Sequence, residues 1–326
     1  MKDTISLPTP ADVLAAAARI AGHAHLTPVL RARTLDDAAG CRLHFKAEHL
    51  QRVGAFKFRG ACNAVWSLDD ATAARGVVTH SSGNHGAALA LAAASRRIAC
   101  HVVVPEGAVA TKLAAIAGYG AVLHRCAPTL SAREATCEAL RAQTGASLVH
   151  PYANREVIAG QGTAALELLQ AAGPLDVLVV PVGGGGLASG TALAIAQAAP
   201  STRLVLAEPR GADDTWRSLQ AGARVADLVP DTVCDGLRGL LGVPNFEILH
   251  AHRSSDGTPV EVITVDDADT IAAMRRLAVH TKQLVEPSSA IALAAVLAHR
   301  AQFAGQRVGI VLSGGNVDPD RLPWLA

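Results

Sequence analysis

Amines, aromatic rings and net charge are all scarce in this 326-residue chain. Five of its 29 basic residues are lysines (Lys2, Lys46, Lys57, Lys112, Lys282), and 3% of its residues are aromatic. With 28 acidic residues the formal net charge is +1, which argues against a nucleic-acid binder that works by neutralising phosphates. Nowhere does the chain reach the roughly 18 uninterrupted apolar residues of a transmembrane helix. Asp3 stands where a secretory signal would be basic, and Asp12 and Arg19 interrupt the first apolar stretch, so no targeting segment is read there. The six cysteines include no CxxC pair and show no zinc spacing, which leads to the expectation of reduced thiols in a cytoplasmic protein.

What is present is an apolar, alanine-rich chain: half hydrophobic, with 66 alanines. At this size it can bury one large or two medium cores. Short β-branched runs at 77–80, 100–105, 121–125, 176–182, 203–208, 261–265 and 307–313 alternate with helical stretches at 84–96, 109–118, 131–144, 155–172, 187–199, 266–281 and 288–303. Continuous rather than alternating apolar runs imply strands covered on both faces. Strand–helix alternation with short connections implies a parallel α/β fold.

Ligands of such folds bind beyond the carboxyl ends of the strands, so the residues after each strand carry the information. Ser81-Ser82-Gly83-Asn84-His85-Gly86 and Gly183-Gly184-Gly185-Gly186 each follow a strand and open a helix, and Ser313-Gly314-Gly315-Asn316 follows the last strand. Glycine-rich backbone at a helix N-terminus is a ready anion cradle. The four glycines are followed by no GK[ST], which excludes a P-loop. Gly183, Gly185 and Ala188 do fit GxGxxA, with Glu208 ending the next strand, so a dinucleotide-binding reading stays open at this point. The serine-rich loop is either a carboxylate site or a plain helix cap. Two separate anion cradles suit a phosphorylated cofactor plus a carboxylate substrate.

Among the lysines, Lys46 and Lys282 read as surface and Lys112 as solvated. Lys57 differs: it lies in VGAFKFRGA, between two of the five phenylalanines. An amine in apolar surroundings loses solvation, and its pKa falls toward the nucleophilic range.

Taken in order, GAFKFRGA, SSGNHG, GGGG and SGGN resemble the fold-type II pyridoxal-phosphate enzymes, in particular the threonine/serine dehydratase and serine racemase branch. The likeness extends to HPYANREVIAGQGTAALELL (150–169), AEPRGADD (207–214), CDGLRGLLG (234–242) and VEPSSAIALAAVL (285–297). This resemblance implies two open, twisted parallel-sheet domains of tryptophan synthase β type with the active site in the cleft between them. It places a large cofactor-binding domain at 1–74 and 153–326 and a small substrate-gripping domain at 75–152. It also implies the site. Lys57 matches the Schiff-base lysine and Phe56 the ring against the cofactor face. Gly183, Gly184, Gly185 and Gly186 match the phosphate loop, Asn84 the partner of the cofactor's 3-hydroxyl, and Ser313 the partner of the pyridine nitrogen. Ser81, Ser82, Gly83 and His85 match the loop that grips the substrate carboxylate. Ser82 also matches the serine that works opposite the lysine in racemases. Glu208, the Ala212 carbonyl and Asp214 match a site for Mg²⁺ or Ca²⁺, whose preference is for such oxygen ligands. A homodimer is expected from the family. The chain's end soon after SGGN gives the further expectation of no regulatory domain and no isoleucine feedback.

The activity so implied is α,β-elimination of water from a β-hydroxy amino acid, giving a 2-oxo acid and ammonia, with Lys57 as the base. Racemisation on the same site is the alternative, and a nicotinamide oxidoreductase or a non-catalytic binding protein stands further off. Serine, threonine, threo-3-hydroxyaspartate and phenylserine are all candidate substrates. Arg133 is the candidate partner for a distal carboxylate, though a solvated helix arginine would look the same in sequence.

Overall fold

The computed structural model describes residues 6–325. Its strands are β1 (Val29–Leu30), β2 (Arg42–Ala47), β3 (Val77–His80), β4 (Cys100–Pro105), β5 (Val122–Cys126), β6 (Ser147–Leu148), β7 (Val177–Pro181), β8 (Arg203–Pro209), β9 (Glu261–Val265) and β10 (Arg307–Leu312). Its helices are α1 (Pro10–Ile20), α2 (Arg33–Ala39), α3 (Lys57–Trp66), α4 (Asp70–Ala73), α5 (Asn84–Arg96), α6 (Ala110–Gly118), α7 (Leu130–Thr144), α8 (Arg155–Ala172), α9 (Gly186–Ala198), α10 (Asp214–Ala221), α11 (Val243–Ala251), α12 (Asp267–Thr281), α13 (Pro287–Ala298) and α14 (Arg300–Phe303). No helix among them is long and apolar enough to cross a membrane.

Two sheets form. One runs β1-β2-β10-β7-β8-β9, parallel except for the antiparallel β1–β2 pair at its edge. The other runs β5-β4-β3-β6 and is wholly parallel. Successive strand residues face opposite cores, as a parallel sheet covered on both sides requires. In the larger sheet Val177 and Val179 pack with α12 and α13, while Leu178 and Val180 pack with α8 and α9. In the smaller sheet Val77 and Val102 meet α5, while Val78 and Val103 meet α7.

One helix belongs to both bodies. The apolar face of α3 (Phe58, Ala61, Cys62, Val65) lies in the core of the smaller sheet. Its opposite face binds the larger body through polar contacts, with the Gly60 N–H donating to Gln161 Oε1 (3.1 Å) and Asn63 Nδ2 donating to the Glu156 carbonyl (2.8 Å). Arg59, fully buried on this face, donates to Glu48, Glu167, Thr163 and the His25 carbonyl.

Two expectations need correction. Lys46 is not on the surface: it is buried in β2, donating to the Thr27 carbonyl at 2.6 Å and to Glu167 at 2.5 Å. The helix read over 288–303 is two, divided at His299, where the backbone leaves helical geometry (φ −115°, ψ 31°). The six cysteines are free and buried.

Candidate active site

The informative loops meet where the strand order predicts, beyond the carboxyl ends of β3, β6, β7 and β10. Lys57 is the first residue of α3. Its position is fixed by the last strand's loop: the Phe56 N–H donates to the Ser313 carbonyl (2.9 Å), and Ala55 bridges Gly314. The Lys57 amine donates to the Pro151 carbonyl beyond β6 (3.0 Å) and lies 5.1 Å from the centre of the Phe56 ring. Burial lowers its pKa to about 8, partly offset by the charge of Glu286. That is the shift a nucleophilic lysine needs near neutral pH.

The glycine loop presents backbone donors. Gly185, at φ +90°, caps α9, and among the described residues the N–H groups of Gly183, Gly184 and Gly185 meet no protein acceptor. Side chains are excluded on this loop. A Cβ at Gly183 would sit 2.7 Å from the Leu237 backbone, and one at Gly184 would sit 2.4 Å from the Tyr152 ring. Free donors at a helix N-terminus, a buried amine of lowered pKa and the neutral Ser313 hydroxyl fit a phosphorylated aldehyde cofactor. Ser313 is buried and its Oγ donates to the Ser288 carbonyl (3.4 Å).

Asn84 begins α5, and its amide donates to both oxygens of Glu286 (3.1 and 3.2 Å) while accepting from Asn316 (2.9 Å). Burial pushes the Glu286 carboxyl up to about 7. Ser81, Ser82 and Gly83 are half-buried in the loop before α5, with open space beside Gly83. His85 follows this loop as the second residue of α5. Its ring is buried, with Nε2 against the Val149 carbonyl (3.2 Å), and burial holds its pKa well below the usual histidine range. The other ring nitrogen, Nδ1, is buried without a partner among the described residues. Arg133, half-exposed in the first turn of α7, holds Nε near the Thr129 carbonyl (3.3 Å), and its charge is felt at His80 and Tyr152.

Glu208 and Asp214 are buried together. The Thr215 and Trp216 N–H groups donate to Glu208 (2.8 Å each), and the Leu241 N–H donates to Asp214 Oδ2 (2.7 Å). Asp214 Oδ1 has no partner. Burial raises Glu208 to about 8 and Asp214 to about 6. Two buried carboxylates with one orphaned oxygen fit a hard divalent cation. Turned inward in this way, Glu208 cannot bind a ribose, which removes the main support for the dinucleotide reading.

Sequence reasoning missed several members of the site. Glu286, Asn316, Tyr152 and Asn245 all contact its loops. Asn316 was visible as the last letter of SGGN, and Glu286 as an acid opening a helix. Tyr152 carried no signal of its own, because only the fold lays it over Gly184.

Comparison with known proteins agrees with this geometry. The pyridoxal-phosphate dependent enzyme family matches residues 20–314. The beta-hydroxyaspartate dehydratase of Paracoccus denitrificans is 46% identical, over 98% of this chain and 99% of its own length. The L-threo-3-hydroxyaspartate ammonia-lyase of Saccharomyces cerevisiae is 42% identical, over 98% of this chain and 96% of its own. The crystal structure of serine racemase from Dictyostelium discoideum superposes with a TM-score of 0.90 at 45% identity, covering 96% of this chain and all of that one.

Proposed function

The chain belongs to the pyridoxal-phosphate dependent enzymes of fold type II, and on that premise we propose that it is an ammonia-lyase that removes water from a β-hydroxy amino acid, with 3-hydroxyaspartate as the preferred substrate. The observation that carries this reading is Lys57: a buried amine whose pKa is lowered to about 8, free of any carboxylate partner among the described residues, and carried on a backbone tied to the Ser313 loop. When bound, pyridoxal phosphate supplies the electron sink for the pair left at the substrate Cα. The chain's own residues do the rest. The N–H groups of Gly183–Gly185 hold the phosphate. The loop at 81–84 and the first N–H groups of α5 hold the substrate carboxylate, which orients the Cα–H bond. Lys57 Nζ takes that proton as general base and returns one to the departing β-hydroxyl. Ser313 would offer the cofactor's ring nitrogen a neutral oxygen, so nothing at that position would favour its cationic form.

One observation favours 3-hydroxyaspartate: relatives matched over nearly the whole chain carry that activity in their names. Arg133 is the residue proposed to meet the distal carboxylate, beside Glu134, whose opposite charge reaches the same His80 and Tyr152. The second reading is racemisation. It is favoured by Ser82, half-buried in the loop on the small-sheet side of the site, and by relatives named serine racemase. The deciding experiment offers the purified protein 3-hydroxyaspartate, threonine and serine. Oxaloacetate formed fastest from 3-hydroxyaspartate supports the proposal. Accumulation of the opposite enantiomer without keto acid refutes it in favour of the racemase.

The remaining parts of the reading extend this proposal. Residues 1–74 with 153–326 are read as the cofactor-holding domain and 75–152 as the substrate-gripping one, with α3 of the former lending its apolar face to the core of the latter. Glu208, Asp214 and the Ala212 carbonyl take one Mg²⁺ or Ca²⁺ ion. The enzyme works as a homodimer, which sedimentation checks. Six unpaired cysteines support a cytoplasmic setting.

A further inference from the structure

Lys112 and Asp235 form an ion pair at 2.5 Å, both partly exposed. Lys112 lies on α6 of the smaller sheet's body, and Asp235 opens a short 3-10 turn (Asp235–Leu237) on the larger. Among the described residues this is the one ion pair between the segment carrying β3–β6 and the chain beyond β7. Each partner is attached to one of the two anion cradles. On one side, Ile116 of α6 packs against Gly86, where a Cβ would meet Ile116 Cδ1 at 3.0 Å; Gly86 is in the first turn of α5, directly after the carboxylate loop. On the other side, the Leu237 backbone closes on Gly183, where a Cβ would sit only 2.7 Å from Leu237 Cα. The neighbouring Gly236 N–H donates to Ser288 Oγ (3.0 Å), and the Ser288 carbonyl accepts from Ser313. A displacement of α6 or of the Asp235 turn is thus passed by direct contact to the carboxylate loop, the glycine loop or Ser313.

We propose that Lys112 and Asp235 are positioning residues whose ion pair sets the spacing between the substrate-carboxylate loop and the cofactor-holding loops. Neither touches the reacting atoms. The pair holds the two cradles at the separation of one amino acid. Its effect belongs to substrate binding and leaves the chemical step to Lys57. The proposal concerns the chain's own geometry and does not depend on which β-hydroxy amino acid is turned over.

The test uses the loaded enzyme with Lys112→Met, Asp235→Asn, and the charge-reversed double variant Lys112→Asp/Asp235→Lys. An exposed ion pair of this kind predicts that each single variant raises KM about two- to fivefold at low ionic strength, with kcat little changed. The visible cofactor band stays intact, and the reversed pair returns KM toward the starting value. Added salt raises the wild-type KM toward that of the variants, because screening acts on the pair. Backbone amide exchange, which needs no substrate, rises in the single variants around residues 83–86 and 234–239. Unchanged exchange in both segments overturns the proposal, whatever the enzyme is found to turn over. So does a reversed pair as impaired as the two single variants combined, and so does loss of the cofactor band in Lys112→Met, which would make the lysine a structural residue only.

Discussion

Lys57 is the residue on which the chemistry depends, and its lowered pKa gives a direct test. Only the unprotonated amine attacks an aldehyde. With a pKa of about 8, the rate at which the cofactor-free protein takes up pyridoxal phosphate should rise tenfold per pH unit below that value and level off above it. An uptake profile with its midpoint at an ordinary lysine pKa would contradict the buried-amine account. Lys57→Ala should show no visible cofactor band and no keto-acid formation, since the other lysines among the described residues lie elsewhere: Lys46 in its buried ion cluster, Lys112 on Asp235 and Lys282 on the Val279 carbonyl. Lys57 stood out in the sequence because phenylalanines flank it. Lys46 was misread because a lysine within RLHFKA carries no sign of the carboxylates that two other segments bring to it.

A second residue-scale expectation concerns Val53, three residues before the Phe56-Lys57 pair. It is held at φ +57°, a left-handed conformation that a β-branched residue adopts only at a cost of about 1–3 kcal/mol. The conformation persists because Asn316 Nδ2 donates to the Val53 carbonyl (2.8 Å) and the Gly315 N–H donates to the Gly54 carbonyl (2.9 Å). Val53→Asn, which tolerates this geometry, should raise stability by about 1 kcal/mol in a denaturant titration. Equal or lower stability would show that packing of the valine against the smaller core outweighs the strain.

At the scale of elements, the glycine loop is constrained by what covers it. Gly183 faces the Leu237 backbone, which cannot rotate away, whereas Gly184 faces a tyrosine ring, which can. Gly183→Ala should therefore weaken cofactor binding by tenfold or more, on the order of the cost of an overpacked site. Gly184→Ala should weaken it less, and pairing it with Tyr152→Ala should recover part of the loss. Equal effects of the two glycine variants in a cofactor titration would argue against steric closure of the loop. The loops themselves were legible in sequence because strand–glycine–helix patterning is local. β1, β2 and β6 were not, since two of them are two residues long and β2 carries His44 and Lys46 among its apolar residues. The orientation of the His85 ring was hidden for a similar reason. Sequence shows its place in the loop, and only the fold shows its ring turned toward Val149.

For the molecule as a whole, the alternation of strands and helices indicated two parallel sheets, but not that one helix would be shared between them. α3 buries Phe58, Ala61, Cys62 and Val65 in the smaller body, and Arg59, Gly60 and Asn63 against the larger. Arg59 carries most of the polar side of this joint, with its guanidinium between the buried Glu48 and Glu167. Removing one member of such a cluster leaves the others as uncompensated buried charge, so Arg59→Ala should cost about 3–5 kcal/mol. Because the same helix completes the smaller core, that loss should reach both bodies. In the wild type, amide protection in β3–β6 and in β7–β10 should therefore be lost together along a denaturant series, as one cooperative transition. Loss of protection in β3–β6 well before β7–β10 would show that the bodies unfold independently and that α3 does not couple them. A chain of this length has no general obligation to unfold in one step, so a single transition would be informative about this helix in particular. It would also explain why the reactive lysine sits at the start of α3, a helix whose position is fixed by both halves of the site.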